Sequence, residues 1–532
     1  MSNSSRKHEE SQENSRDEQR EYPGKGTLII VTISLCLIVF VFALDSTIIT
    51  TAIPRITADF HTVDDIGWYG SAYLMVTTAF QLFFGRLFKI FPIRPVFLIA
   101  VALFSLGSLI CAVSPRSAVF IFGRAVAGLG GAGIFTGSLI IIAATVPLRL
   151  RPMFLGGLGA MAGVASVTGP LLGGALTDRV TWRWCFYINL PISAVPFLTI
   201  LLLYKPPKRE NTEKRSLRQI LKQLDLIGTA LFVASTVCLL LALKWGGSEY
   251  PWSNGRVIAL LVLFPVLLAG FAFIQYRRGE NGSLPPKIVK QRTVAFGAWF
   301  IFCLNAAYFT MSYYIPFWFQ AVKGVSAEQS GIRTLPLIIG LSVCEFLGGA
   351  VITAIGYYSP MMYISTVCMA VGAGLASTLH PSSGHSQWIG YLALFGIGAG
   401  LGNQVPQMAL QVSLPSEDLA IGIGFLSFAQ SLGGALFTSV GQSIFSNYLN
   451  QHLGELTPNL DPRVVTSGGA TGFREVVSAD DVRGVVLSYN MALTTTYRAA
   501  AAMGALCIIG ALGVEWKSVK GEKQEKQEAR ME

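Results

Sequence analysis

The amino-acid sequence predicts an all-α membrane protein of fourteen transmembrane helices, built as two six-helix halves with a two-helix insert between them. Three observations predict it. Apolar segments of roughly twenty residues recur from Thr27 to Glu515, and at 1.5 Å per residue each is long enough to cross the ~30 Å hydrocarbon core of a bilayer. The 532-residue chain is 52% hydrophobic and 13% charged, with mean hydropathy +0.53, whereas soluble domains carry about 25% charged residues. The charge is also confined to the two ends and a few short connections. The spans must be helices, because an open sheet edge in lipid would leave backbone groups unpaired.

In chain order the spans are expected near 27–50, 66–86, 95–113, 118–142, 153–176 and 185–204, then 224–244 and 256–276, then 294–319, 332–355, 360–379, 387–412, 419–440 and 493–515. Two polar breaks divide them. The stretch 205–223 is basic and opens with Pro206-Pro207, and 277–293 contains Gly282, Pro285 and Pro286. The halves are therefore 27–204 and 294–515, with 205–293 holding a basic loop and the two-span insert. Parallel six-span halves are the plan of transporters whose site lies at the half–half interface, and the insert should sit outside that core. Residues 1–26 mix Arg6, Lys7, Glu9, Glu10, Arg16 and Asp17 without an apolar run, so they read as a disordered tail rather than a signal peptide. Residues 516–532 read the same way, and 441–492 is the one sizeable polar loop, expected on the outside.

Charge sets the orientation. With the N-terminus in the cytosol, the inner connections carry Arg86, Lys89, Arg94, Arg149 and Arg151, the 205–223 cluster, and Arg277, Arg278, Lys287, Lys290 and Arg292. The outer ones hold about half as many basic residues, as the positive-inside tendency requires, and an even span count returns the C-terminus to the cytosol. The net charge of +10 is thus topological and gives no reason to expect a nucleic-acid partner. The sequon Asn281-Gly282-Ser283 falls on the cytosolic side, so no N-glycan is expected. All eight cysteines fall inside spans and the five histidines form no cluster, so neither a disulfide framework nor a metal site is expected. Gly128, Gly130 and Gly133 fit G-x-G-x-x-G, but they lie in an apolar span rather than a strand–turn–helix unit, where small residues let helices approach closely.

Other motifs are more specific. Gly169-Pro170-Leu171-Leu172-Gly173-Gly174, preceded by Gly159 and Gly163, places a helix-bending proline among small residues. Leu44-Asp45-Ser46-Thr47-Ile48 lies in the first span, Gly123-Arg124-Ala125-Val126-Ala127-Gly128 opens the fourth, and Trp182-Arg183-Trp184 leads to Tyr187-Ile188-Asn189-Leu190-Pro191 in the sixth. Leu224-Asp225-Leu226-Ile227-Gly228 and Lys244-Trp245-Gly246-Gly247 follow. Together these resemble the drug:proton antiporters of the major facilitator superfamily, in the fourteen-spanner branch that includes fungal toxin and multidrug efflux pumps. The resemblance covers about 27–515. It departs after the second span, where such proteins commonly read G-x-L-x-D-R-x-G-R-R/K. Here Gly85, Leu87 and Arg94 match, but Lys89 replaces the usual Asp and Pro92 the second Gly, so the latch attributed to that acid does not carry over.

Ionisable groups inside spans are costly and point to function. Asp45 and Arg124 lie at a matching depth of roughly 10 Å from the outer face by helical rise, which allows an ion pair between the first and fourth helices. Glu345 is near mid-membrane, where desolvation disfavours its charged form and water access would control its proton. Asp225, close to the inner face, is expected to cap its helix. Gln81, Asn305, Tyr308, Tyr313, Tyr314, Trp318, Asn403, Gln404, Gln407 and Gln430 could line a cavity for a bulky, mostly apolar compound.

The resemblance implies a major facilitator fold and export of an amphipathic toxin, drug or secondary metabolite in exchange for protons. It implies alternating access, no cofactor beyond the proton gradient, and a monomer in the cell membrane. Alternatives are a siderophore or vacuolar basic amino acid exchanger, or a non-transporting sensor. No nucleophile–base constellation suggests an enzyme.

Overall fold

In the computed structural model, residues 23–62, 65–206, 223–247, 249–458, 460, 465, 473–474 and 477–520 are described. Residues 1–22 of the expected tail 1–26, most of the basic loop (207–222) and residues 521–532 of the expected tail 516–532 lie outside them. The elements are α1 (Lys25–Phe60), α2 (Ile66–Ile90), α3 (Ile93–Val113), α4 (Ser117–Thr145), α5 (Arg151–Arg179), α6 (Trp184–Leu203), α7 (Leu226–Trp245) and α8 (Gly255–Arg278). They continue with α9 (Arg292–Ala321), α10 (Ala327–Ile355), α11 (Ser359–Ala376), α12 (His385–Asn403, carried on by Val405–Ser413), α13 (Leu419–Leu456) and α14 (Ala479–Gly513).

Local chemistry sets several boundaries. Asn254, Gln291 and Ser326 accept from the first-turn amides of α8, α9 and α10, filling donors that a helix start leaves open. Asp225 caps α7 through the Gly228 amide. α12 breaks at Gln404 just before Pro406, whose ring cannot continue the preceding turn.

Among the described residues, twelve helices are long and apolar enough to cross a membrane, against the fourteen expected. The two that fall short are α2, which carries Thr77, Thr78, Gln81, Arg86 and Lys89, and α12, which is cut into pieces of 19 and 9 residues. The polar stretch 441–492 is mostly helical rather than loop, because α13 runs on to Leu456 and α14 begins at Ala479. Beyond α14, the tail does not leave the bundle at once: the Val519 amide donates to Gly356 O at 2.8 Å, and Tyr358 donates to Glu515 O.

α1 packs on α5 and α6, and α4 on α2 and α3. In the second half α9 packs on α13 and α14, and α10 and α11 on α12. The halves meet along two seams, α5 against α10 and α2 against α13. α7 and α8 pack on each other, and α7 rests on α2 and α13. Apolar side chains such as Ile33, Leu171, Leu202, Val266 and Phe273 point outward, as contact with lipid tails requires.

Candidate functional site

The first cluster lies within the N-terminal half. Arg124 Nη1 is 2.5 Å from Asp45 Oδ2, and both side chains are almost completely buried. A buried pair is tolerable only when further hydrogen bonds support it, and several do here. Arg124 Nε donates to Tyr69 O at 2.8 Å, and its guanidinium lies 4.4 Å from the Tyr73 ring centroid. Asn189 donates to Asp45 Oδ1 at 2.8 Å and to Ser108 at 3.2 Å. Asn189 therefore belongs to the site, although nothing in the sequence singled it out beyond its place in the Trp182–Pro191 run. The start of that run closes the same half: Trp182 and Arg183 reach Asp59 at 2.8 and 3.2 Å, and Trp182 packs on Phe60, Phe120 and Phe186.

The second cluster lies where the halves touch. Glu345 of α10 is buried, and its Oε1 accepts from Asn403 (2.9 Å) and Gln404 (3.1 Å). Its Oε2 has no hydrogen-bond partner among the described residues. Gln430 and Asn305 reach the Asn403 carbonyl at 3.4 and 3.5 Å, so four of the expected cavity residues gather around this one carboxyl. The remaining ones scatter. Gln81 donates across the seam to Ser431 at 3.1 Å, and Gln407 to Ser427 at 3.5 Å. Tyr308 is partly buried against the core, and Tyr313 is 48% exposed. Tyr314 and Trp318 belong to the core of the second half rather than to a cavity wall, donating to Thr438 O and Asn490 Oδ1. A ring large enough to line a pocket is equally suited to filling a core, and the sequence does not separate the two.

The proline motif on α5 divides into two faces. A Cβ on Gly169 or Gly173 would strike Thr47, Ile48 or Thr51 of α1, and Thr47 donates to Ala165 O at 3.2 Å. A Cβ on Gly159 would strike Glu345 and Gln404, and one on Gly163 would strike Ser342, both on the other half. Gly174 faces open space, so no neighbouring helix packs against it. Pro170 lies within α5, between Gly169 and Gly173 of the α1-facing stretch. The stretch of α5 around Gly159 and Gly163 thus lies directly on α10, whereas the stretch around Gly169 and Gly173 holds α1.

The second seam closes at the same end. Gly85 and Gly424 bring α2 and α13 to backbone contact, and Lys89 Nζ lies 2.6 Å from Asp418 Oδ1, with side chains 26% and 15% exposed. Lys89, the residue that breaks the usual loop pattern, thus makes a cross-half ion pair. Its partner lies 329 positions away and was invisible in the sequence. The Gly85–Gly424 and Lys89–Asp418 contacts sit toward the end that carries Arg86, Arg94, Arg149 and Arg151, the basic end, while Gly159, Gly163 and Glu345 lie deeper in their helices.

Among the described residues, no group of three or more His, Cys, Asp or Glu could hold a metal ion. Residues 35–438 match the family described as Major Facilitator Superfamily. The chain is 51% identical over 498 residues to the MFS-type efflux pump MFS1 of Arthroderma benhamiae, covering 94% of this chain and 93% of that one. It is 48% identical over 494 residues to the efflux pump aflT of Aspergillus parasiticus, covering 93% and 96%. Among solved structures it resembles the human organic anion transporter MFSD10, with TM-score 0.58 at 13% identity, covering 93% of this chain and all of that one; at this identity the likeness is one of fold. The chain is a multi-pass membrane protein of the major facilitator superfamily, a family of transporters and not of enzymes.

Proposed function

We propose that this protein is a proton-coupled antiporter that exports an amphipathic organic compound, such as a fungal secondary metabolite or toxin, by alternating access. Its relatives in Arthroderma benhamiae and Aspergillus parasiticus are named efflux pumps, which supports export. One observation carries proton coupling: Glu345 is a buried carboxyl at the seam between the halves, with one oxygen bonded by two amides and the other without a partner. When α5 moves off α10, the cover over that carboxyl opens and water reaches it. A carboxyl that meets water in only one of two arrangements can exchange its proton with one side at a time. Asp45 is held by Arg124 and Asn189, so its part in the cycle is to set the structure of the first half through that ion pair.

All fourteen helices span the bilayer in this reading. α2 and α12 tolerate polar residues because neighbours shield them from lipid. Both termini are cytosolic, the basic end faces the cytosol, and the arrangement described is closed on that side. The halves are 27–204 and 294–515 with 205–293 between them, and the protein acts as a monomer in the cell membrane with no cofactor.

The test is transport of a fluorescent amphipathic dye by reconstituted vesicles under an imposed pH jump. Glu345→Gln should lose gradient-driven accumulation but keep downhill dye exchange, and Asp45→Asn is the parallel variant. Full gradient dependence in both variants at normal expression would remove these carboxyls from the coupling.

A further inference from the structure

The two-helix insert lies over the α2–α13 seam, and it meets the two sides of that seam in different ways. Within the insert, Asp225 is fully buried and accepts from the amides of Gly228 (3.1 Å) and Ser283 (3.0 Å) and from Gln275 (2.7 Å), with Arg278 3.2 Å away. These bonds join the start of α7 to the end of α8, so at the basic end the two helices form one body.

On the α2 side, that body is held by directed contacts at both ends. Arg86, itself buried, donates Nε to Gln223 O and Nη2 to Asn281 O, both at 2.9 Å, and so grips the chain just before α7 and just after α8. At the opposite end, Lys244 Nζ sits 3.5 Å from the Trp68 ring centroid. Guanidinium bonds to two carbonyls are directional and fix position. On the α13 side the contact is apolar and, among the described residues, carries no directed bond: Phe232 meets Phe428 at 4.8 Å between ring centroids, with Phe425 beside it, and the same cluster extends to Leu82 of α2. Toward the opposite end, a crevice of about 220 Å³ lies between Leu243 and Trp252 of the insert and Ser439, Ser443 and Tyr448 of α13. Aromatic and aliphatic surfaces with a gap beside them can slide without breaking a directed bond.

From this asymmetry we infer that the insert is fixed to the N-terminal half and slides over α13, serving as a lateral cover that keeps lipid tails out of the α2–α13 seam as the halves rock. Among the described residues the main packing partners of the insert are α2 and α13, not α5 or α10. The inference rests on the alternating-access reading above.

Cysteine pairs in a cysteine-free background, joined by a short cleavable thiol crosslinker, separate the two sides. Gly67→Cys with Lys244→Cys ties the insert to α2, and Phe232→Cys with Phe428→Cys ties it to α13. Dye efflux is measured together with hydrogen exchange of residues 414–424, which reports opening of the basic end without any transported compound. The α2 tie should leave both within about twofold of the uncrosslinked sample. The α13 tie should slow both at least tenfold, with recovery on reduction, so each sample is its own folding control. The inference is overturned if the α13 tie changes neither rate, or if the α2 tie stops both. Should the uncrosslinked protein show gate opening but no efflux, the export reading fails while the exchange data still decide the insert.

Discussion

Reversing the charge of Lys89 is the most direct test of how the basic end is held shut. The pair with Asp418 spans the halves at 2.6 Å and is mostly shielded from water. At an effective dielectric near 20, opposite charges about 4 Å apart attract by about 4 kcal/mol. Desolvation offsets much of that, and exposed pairs retain about 1 kcal/mol or less. A partly shielded pair should therefore contribute about 1–2 kcal/mol to the closed arrangement, or roughly 5–30-fold in the closed-to-open ratio. Lys89→Asp places two carboxylates at the seam and should shift the ratio by at least that factor toward opening. The double variant Lys89→Asp with Asp418→Lys should bring most of it back, because the coupling between contacting residues is not additive. The ratio can be read from spin-label distances across α2 and α13, alongside dye efflux. An unchanged distance distribution in the single variant, or no recovery in the double variant, would refute the assignment of this pair as a gate.

Other outcomes follow from the same geometry. Gly173→Leu would drive a side chain into Thr51 and Ile48 of α1; it should abolish efflux in a protein that still reaches the membrane, and normal dye resistance at matched expression would take this face of α5 out of the mechanism. Arg124→Leu leaves the Asp45 carboxylate buried without its ion-pair partner, and should destabilise the protein by about 3–5 kcal/mol, seen as a lowered Tm in detergent; an unaltered Tm would mean the pair is not needed for the fold. Asn189→Leu removes one donor from that carboxylate and should cost less, about 1–3 kcal/mol, by the same melting curve. Asn281 offers its backbone carbonyl to Arg86 and should carry no glycan; a glycosidase-sensitive mobility shift that Asn281→Gln abolishes would reverse the orientation.

Much of the site was legible because burying charge is costly. Asp45, Arg124 and Glu345 stand out in apolar runs on that ground alone, and helical rise placed the first two at one depth. Gly159, Gly163, Gly169 and Gly173 stood out as small residues around a proline, although Gly174 in the same run proved to face nothing. The amides and aromatics were less readable. Asn403 and Gln404 serve Glu345, while Tyr314 and Trp318 fill a core, and no local pattern distinguishes these uses.

The sequence by itself determined the class of molecule and most of its helices, because bilayer thickness and backbone hydrogen bonding act on each segment separately, but not how far α13 and α14 run into 441–492. It also fixed that α7 begins at a capping Asp225, since that bond spans three residues. What each helix touches was decided only by the tertiary structure. Whether Lys89 is a missing latch or half of an ion pair depends on Asp418, 329 residues away. Whether the insert is a bystander depends on Arg86 reaching Gln223 and Asn281, which lie 137 and 195 positions further along the chain. Such contacts arise from packing whole helices together, and the energy that selects them is not written in any single segment.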